Sequence, residues 1–137
     1  MNKVFVYGSL KQGHGNNRFL SNSNFIGKGI TLDNDFKMVS LGGFPGLIYG
    51  DSRIVGELYE IDNEVFQSID RLEGNGHFYK RELIEIMLLN GKNHKAWIYV
   101  LVNQKTHYGM SYSKEKIYYH KNWDAVSWKN DLEYETI

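Results

Sequence analysis

Asn90-Gly91 sits between two runs, Glu82 to Leu89 and His94 to Val102, that each alternate along their length. This dipeptide is the strongest short hairpin signal, because a type I′ turn needs positive φ at both central positions. The two arms constrain the fold more than the turn does. Ile84, Ile86 and Leu88 share one face of the first arm, while Leu83, Met87 and Leu89 share the other. In the second arm, Ala96, Ile98, Val100 and Val102 alternate with Trp97, Tyr99 and Leu101. A hairpin apolar on both faces belongs to a sheet that closes on itself or is covered on both sides.

One strong helix accompanies the strands. Val65, Phe66, Ile69 and Leu72 recur at helical spacing, Asp62 stands ahead as an N-cap, and Gly74 supplies the left-handed residue that stops a helix. Val4-Phe5-Val6-Tyr7 and Gly56 to Ile61 read as further strands, and the polar, glycine-rich stretch from Lys11 to Asn24 as a loop or short helix. One helix among many strands predicts an α+β fold: a small mixed β-barrel or strongly curled sheet. The 137 residues hold no repeat, linker or low-complexity tract, so residues 1–137 are expected to form a single domain. From Tyr112 to Ile137 the chain is aromatic and polar without period; Trp123 and Trp128 are placed at the open end of the barrel.

Sixteen basic residues balance sixteen acidic ones and are scattered, which predicts neither a nucleic acid nor a membrane surface as partner. With no cysteine, disulfides, thiolate catalysis and cysteine-ligated zinc are excluded, and a reducing compartment fits. No apolar run approaches the ~20 residues of a membrane helix. Val4–Tyr7 is too short for a signal h-region, so a cytoplasmic location is expected. His14, His77, His94, His107 and His120 show no metal-ligand spacing, and no metal is expected.

Glu73 continues the Phe66–Ile69 stripe. A carboxylate there points inward and lies near the negative end of the helix dipole, and both effects disfavour its charged form. That is how a glutamate is tuned for proton transfer near neutral pH; a surface glutamate at a frayed helix end is the other reading. Asp70, three residues earlier, falls away from Phe66 and reads as exposed. Asp62 and Glu64 read as first-turn residues that favour the dipole.

Tyr7-Gly8-Ser9-Leu10-Lys11-Gln12-Gly13 follows the first strand directly. A turn of small residues exposes backbone N–H groups as an anion-binding nest, or is simply a tight turn. It has neither P-loop spacing nor the GxSxG of a nucleophile elbow. Gly42-Gly43-Phe44-Pro45-Gly46 either lets backbone approach a ligand closely or only turns the chain. Tyr79 reaches the same cavity as Glu73, or is a half-buried core tyrosine with a hydrogen-bonded tip.

Taken together, these residues resemble the γ-glutamylcyclotransferase-like family, which includes γ-glutamylamine cyclotransferases and the AIG2-like proteins. The likeness rests on Val4 to Gly13, similar to a hydrophobic strand followed by YG[ST]L[KR]xG; on Gly43-Phe44-Pro45-Gly46; and on Ile69 to Gly74 with Tyr79-Lys80-Arg81, similar to LDxxEG…YxR. Ala96 to Val100 fits a later strand, and Trp123 corresponds to a tryptophan near the end of family members. The resemblance implies a barrel with flanking helices and an active site at one end. It implies Glu73 as general acid/base, substrate binding by the turn of Tyr7, Gly8, Ser9 and Leu10, and supporting roles for Tyr79 and Tyr99. The implied reaction releases 5-oxoproline and a free amine from a small-molecule γ-glutamyl amide, without cofactor. The leaving amine and the oligomeric state stay open.

Three rival readings accompany it. The same fold could bind a γ-glutamyl-like or other anionic metabolite without turning it over. Exposed tyrosines near the C-terminus could serve protein interaction. A serine hydrolase would need Ser9 with His14 or His77, yet no spacing orients such a base.

Overall fold

Five strands close a ring in the computed structural model, which describes residues 1–104 and 117–128. Strand β1 (Asn2–Val6) will pair with later strands on both of its edges. β2 (Asn24–Thr31), β3 (Phe36–Ser40), β4 (Pro45–Tyr49) and β5 (Arg53–Ile61) precede the helix α1 (Asn63–Glu73). β6 (Tyr79–Leu88), β7 (Asn93–Leu101), β8 (Ile117–His120) and β9 (Ala125–Trp128) follow it. β1 lies antiparallel to β5, with Phe5 opposite Leu58, and parallel to β7 at Val4 and Trp97. β7 pairs antiparallel with β6, β6 with β2, and β2 with β5, which completes the circle. The fold is therefore α+β, a small mixed barrel with one α-helix among the described residues.

Strand alternation sorts the apolar residues into two cores. Phe5, Leu58, Ile86, Ala96, Ile98 and Val100 fill the barrel interior. Their neighbours Val4, Val6, Tyr59, Ile61, Tyr99 and Leu101 face the other way and bury Phe66 and Ile69 of α1. The two-sided apolarity of β1 and β7 thus has a direct cause: one face looks into the barrel and the other lies under the helix. Ile69 is wholly buried there, so Ile69→Ala should cost about 2–5 kcal/mol.

Helix α1 begins and ends as its residues dictate. Asp62 accepts a hydrogen bond from Val65 N–H at 2.8 Å, and Gly74 takes a left-handed φ of 61°. Leu72, however, stands 39% exposed at the end of the stripe instead of entering the core. Between Lys11 and Asn24 the chain makes a short 3-10 helix, Asn17–Leu20.

The β6–β7 hairpin corrects the expected turn. Among the described non-glycine residues only Asp124 has positive φ, so Asn90 does not adopt the conformation a type I′ turn requires. Instead Leu88 N–H donates to Lys92 O and Gly91 N–H to Leu88 O, each at 2.9 Å, with Gly91 alone left-handed at φ 87°. This three-residue loop is favoured because Asn90 Oδ1 accepts from Lys92 N–H at 3.0 Å, a local bond that holds the loop. Leu89 leaves the strand as a result, and Leu83 and Leu89 are exposed on a face expected to be covered.

Five strands were not foreseen: β2, β3, β4, β8 and β9. Gly27 and Gly29 interrupt the alternation of β2, and Gly29 is needed, since a Cβ there would lie 2.5 Å from Met87 O. β4 begins at Pro45, the first-residue position a strand can give a proline, and pairs with β3 as an antiparallel hairpin. β9 runs parallel to the first half of β5, which β1 does not reach, and β8 lies antiparallel outside it. Trp128 is buried with the barrel core, whereas Trp123 packs half-buried on Ile30, Val55 and Ala125. The rest of the aromatic tail, and His107, lie outside the described residues. Among the described residues no helix is long and apolar enough to cross a membrane.

Candidate active site

The last turn of α1 overhangs a cavity of about 290 Å³ at one end of the barrel. Tyr7, Gly8, Ser9 and Leu10 line it from the turn after β1, and Glu73 from the helix. Tyr79 and Tyr99 reach it from β6 and β7. Every site residue expected from the sequence meets in this one space.

Glu73 enters without company. Among the described residues its carboxyl has no hydrogen bond or ion pair, and burial pushes its pKa from 4.5 up to about 7. A carboxyl so placed is part neutral and part ionised at physiological pH, the condition for giving and taking protons at comparable cost.

The tyrosines around it are tied down. Tyr7 OH donates to Tyr99 O at 2.6 Å, Tyr79 OH to Pro45 O at 2.7 Å, and Tyr99 OH to Asp70 Oδ1 at 2.5 Å. Burial first, and nearby carboxylates second for Tyr79, hold these phenols well above their usual range, so they stay protonated. For Tyr99 the hydrogen bond to Asp70 adds to burial, and for Tyr7 the neighbouring Tyr79 does. With each proton committed to an acceptor, what these hydroxyls offer a ligand is an oxygen lone pair.

The turn supplies the opposite kind of group. The backbone N–H groups of Gly8, Ser9 and Leu10 donate to no other described residue. Such a row of free donors suits an anion. Glycine fits position 8 because a Cβ there would lie 2.9 Å from Pro45 Cγ and push the turn aside. The turn is held from behind by Gln12 N–H donating to Glu57 Oε1 at 2.9 Å and Asn17 Nδ2 donating to Leu10 O at 2.8 Å. Asn16 Nδ2 donates to Ser9 Oγ at 2.8 Å, and Tyr59 OH to Glu57 Oε1 at 3.1 Å. Among the described residues the Ser9 hydroxyl takes its hydrogen bond from an asparagine and none from a histidine.

Three of these residues escaped the sequence reading. Asn16, Asn17 and the fully buried Glu57 anchor the turn, and Glu57 carried a usable sign: a carboxylate on the same face of β5 as the apolar Tyr59 and Ile61. Asp70 is a correction. It is half-buried rather than exposed, because Arg81 and Tyr99 reach round the helix to it. Arg81 Nε donates to Asp70 Oδ1 at 3.0 Å, and its guanidinium lies 4.0 Å from the centre of the Phe66 ring and 4.8 Å from that of Trp97. Among the described residues no three His, Asp or Glu gather as metal ligands.

Comparison with known proteins places the chain in a family. The sequence profile described as "Gamma-glutamyl cyclotransferase, AIG2-like" matches residues 4–125, and the chain belongs to that family. A relative from Methanocaldococcus jannaschii is 42% identical over 102 residues, covering 72% of this chain and 83% of the other. The γ-glutamylcyclotransferase family protein YtfP of Escherichia coli K12 is 36% identical over 98 residues, with 72% and 80% covered. The crystal structure of an AIG2-like protein from Mus musculus superposes with a TM-score of 0.73 at 26% identity, covering 83% of this chain and 86% of that one.

Proposed function

We propose that the protein is a cyclotransferase that converts a γ-glutamyl amide to 5-oxoproline and a free amine. The reading is supported above all by Glu73, a carboxyl raised toward neutrality and without a partner among the described residues, in the same cavity as three backbone donors that no other described residue engages.

The substrate brings its own nucleophile. Its α-amino nitrogen attacks its γ-carbonyl carbon, a C–N bond forms in the five-membered ring, and the original amide C–N bond breaks. Glu73 takes the proton released by the attacking nitrogen and returns it to the departing one, so the enzyme ends as it began. The N–H groups of Gly8, Ser9 and Leu10 hold the α-carboxylate or steady the oxyanion, donors worth roughly 3–4 kcal/mol of barrier in comparable sites. The oxygens of Tyr7 and Tyr79 accept from the α-amino group and fold the glutamyl chain toward ring closure, a proximity effect, with Tyr99 supporting the wall behind them. Neither cysteine nor serine is called upon.

The test is mass-spectrometric detection of 5-oxoproline from a panel of γ-glutamyl amides, with Glu73→Gln in parallel. Product from the native chain and none from the variant is the expected result. Calorimetric binding of the amides without product in the native chain would instead favour a binding module on the same fold.

A further inference from the structure

We propose that Phe44, Phe78 and Leu72 form an apolar rim that selects γ-glutamyl amides whose leaving amine is hydrophobic and uncharged. This rests on the cyclotransferase reading, which sets the direction in which a substrate lies. The glutamyl half must sit inside, where Glu73 and the turn donors are, and the leaving amine must then pass out across the mouth.

The mouth is unusual for its cost. Phe44, Phe78 and Leu72 are 42%, 45% and 39% exposed, yet all three line the cavity whose inner wall is buried tyrosine. The two phenylalanine rings stand 6.3 Å apart, and Phe78 packs edge-on against Tyr79 at 4.9 Å, so rim and interior are continuous. Both rings ride on fixed backbone. Leu41 N–H donates to Phe44 O at 2.9 Å across the β3–β4 turn. Phe78 N–H donates to Gly74 O at 3.0 Å, and Phe78 O accepts from Val102 N–H at 2.9 Å. Exposed aromatic groups next to a cavity are placed to cover an apolar ligand.

Charge points the same way. Among the described residues lining the cavity there is no lysine, arginine or histidine, and the one carboxyl is Glu73. A leaving group bearing its own carboxylate, as in a γ-glutamyl dipeptide, finds no counter-charge among the described lining residues once the turn donors hold the glutamyl α-carboxylate. A phenethyl or alkyl amine finds rings to cover it.

Steady-state kcat/KM for γ-glutamyl-phenethylamide and γ-glutamylglycine, measured on one preparation, tests this. The native chain should prefer the phenethylamide by at least about tenfold, and Phe44→Ser/Phe78→Ser should bring the ratio close to one. Phe44→Leu/Phe78→Leu, which stays apolar, should keep most of the preference. Because both substrates see the same preparation, the ratio is insensitive to partial unfolding. A native ratio near or below one, or a ratio unmoved by the serine pair, overturns the rim while the cyclotransferase reading stands. If neither amide releases 5-oxoproline, that reading fails separately, and calorimetric affinities decide the rim. Tighter phenethylamide binding lost in the serine pair supports it; equal affinities overturn it.

Discussion

Asp70 and Glu73 occupy the same helical turn, yet the two sides of α1 treat them oppositely. On the outer side Asp70 receives Arg81 and the Tyr99 hydroxyl, with Arg81 itself laid over Phe66 and Trp97. On the cavity side Glu73 receives no donor from the other described residues, and burial raises it to about 7. What separates them is the supply of donors rather than the residue type. A carboxyl that is well hydrogen-bonded fixes the helix end; one left bare in a hollow can exchange a proton.

The contrast can be broken most forcefully at Glu73. Glu73→Gln keeps shape but cannot relay a proton, and 5-oxoproline release should fall by roughly 10²–10⁴-fold with folding retained. Asp70→Asn should instead lose mainly stability, about 1–3 kcal/mol in denaturant unfolding, as the charged acceptor shared by Arg81 and Tyr99 becomes a neutral amide. A loss of turnover as deep as that of Glu73→Gln would mean the two roles are not separate.

Stability against pH sharpens the same contrast. Below about 4.5 Glu73 is protonated whether the chain is folded or not. Between there and about 7 the unfolded chain ionises first, so rising pH removes stability. Glu73→Gln should therefore match the native chain at pH 4 and exceed it at pH 8 by on the order of 3 kcal/mol. Gly8→Ala should cost less, about 1 kcal/mol, and raise KM more than it lowers kcat, because the new methyl meets Pro45 and shifts the turn. Tyr79→Phe should have the smallest effect, removing one hydroxyl from Pro45 O; a loss rivalling that of Glu73→Gln would give Tyr79 a larger part.

The two regions differ in legibility too. Strand β1 and the turn after it, the caps of α1 and the inward glutamate were readable because each depends on local spacing that the chain writes out in order. Asp70 was misplaced for the converse reason. Its surroundings are supplied by Tyr99 and Arg81, which lie on strands outside the helix, and a helical wheel holds no record of them. The anchors Asn16, Asn17 and Glu57 are likewise set by tertiary contact. Glycines hid β2, and Pro45 made the start of β4 look like a turn. The hairpin was correct in its arms and mistaken in its turn type, since Asn90 spends its side chain on Lys92 N–H instead of taking positive φ.

The most direct measurement is a ¹³C NMR titration of the Glu73 carboxyl, with kcat/KM followed on the same pH axis. Glu73 should titrate near 7, with turnover falling as pH drops through that midpoint. A midpoint near 4.5, or a rate indifferent to pH between 5 and 8, would contradict the role given to this carboxyl.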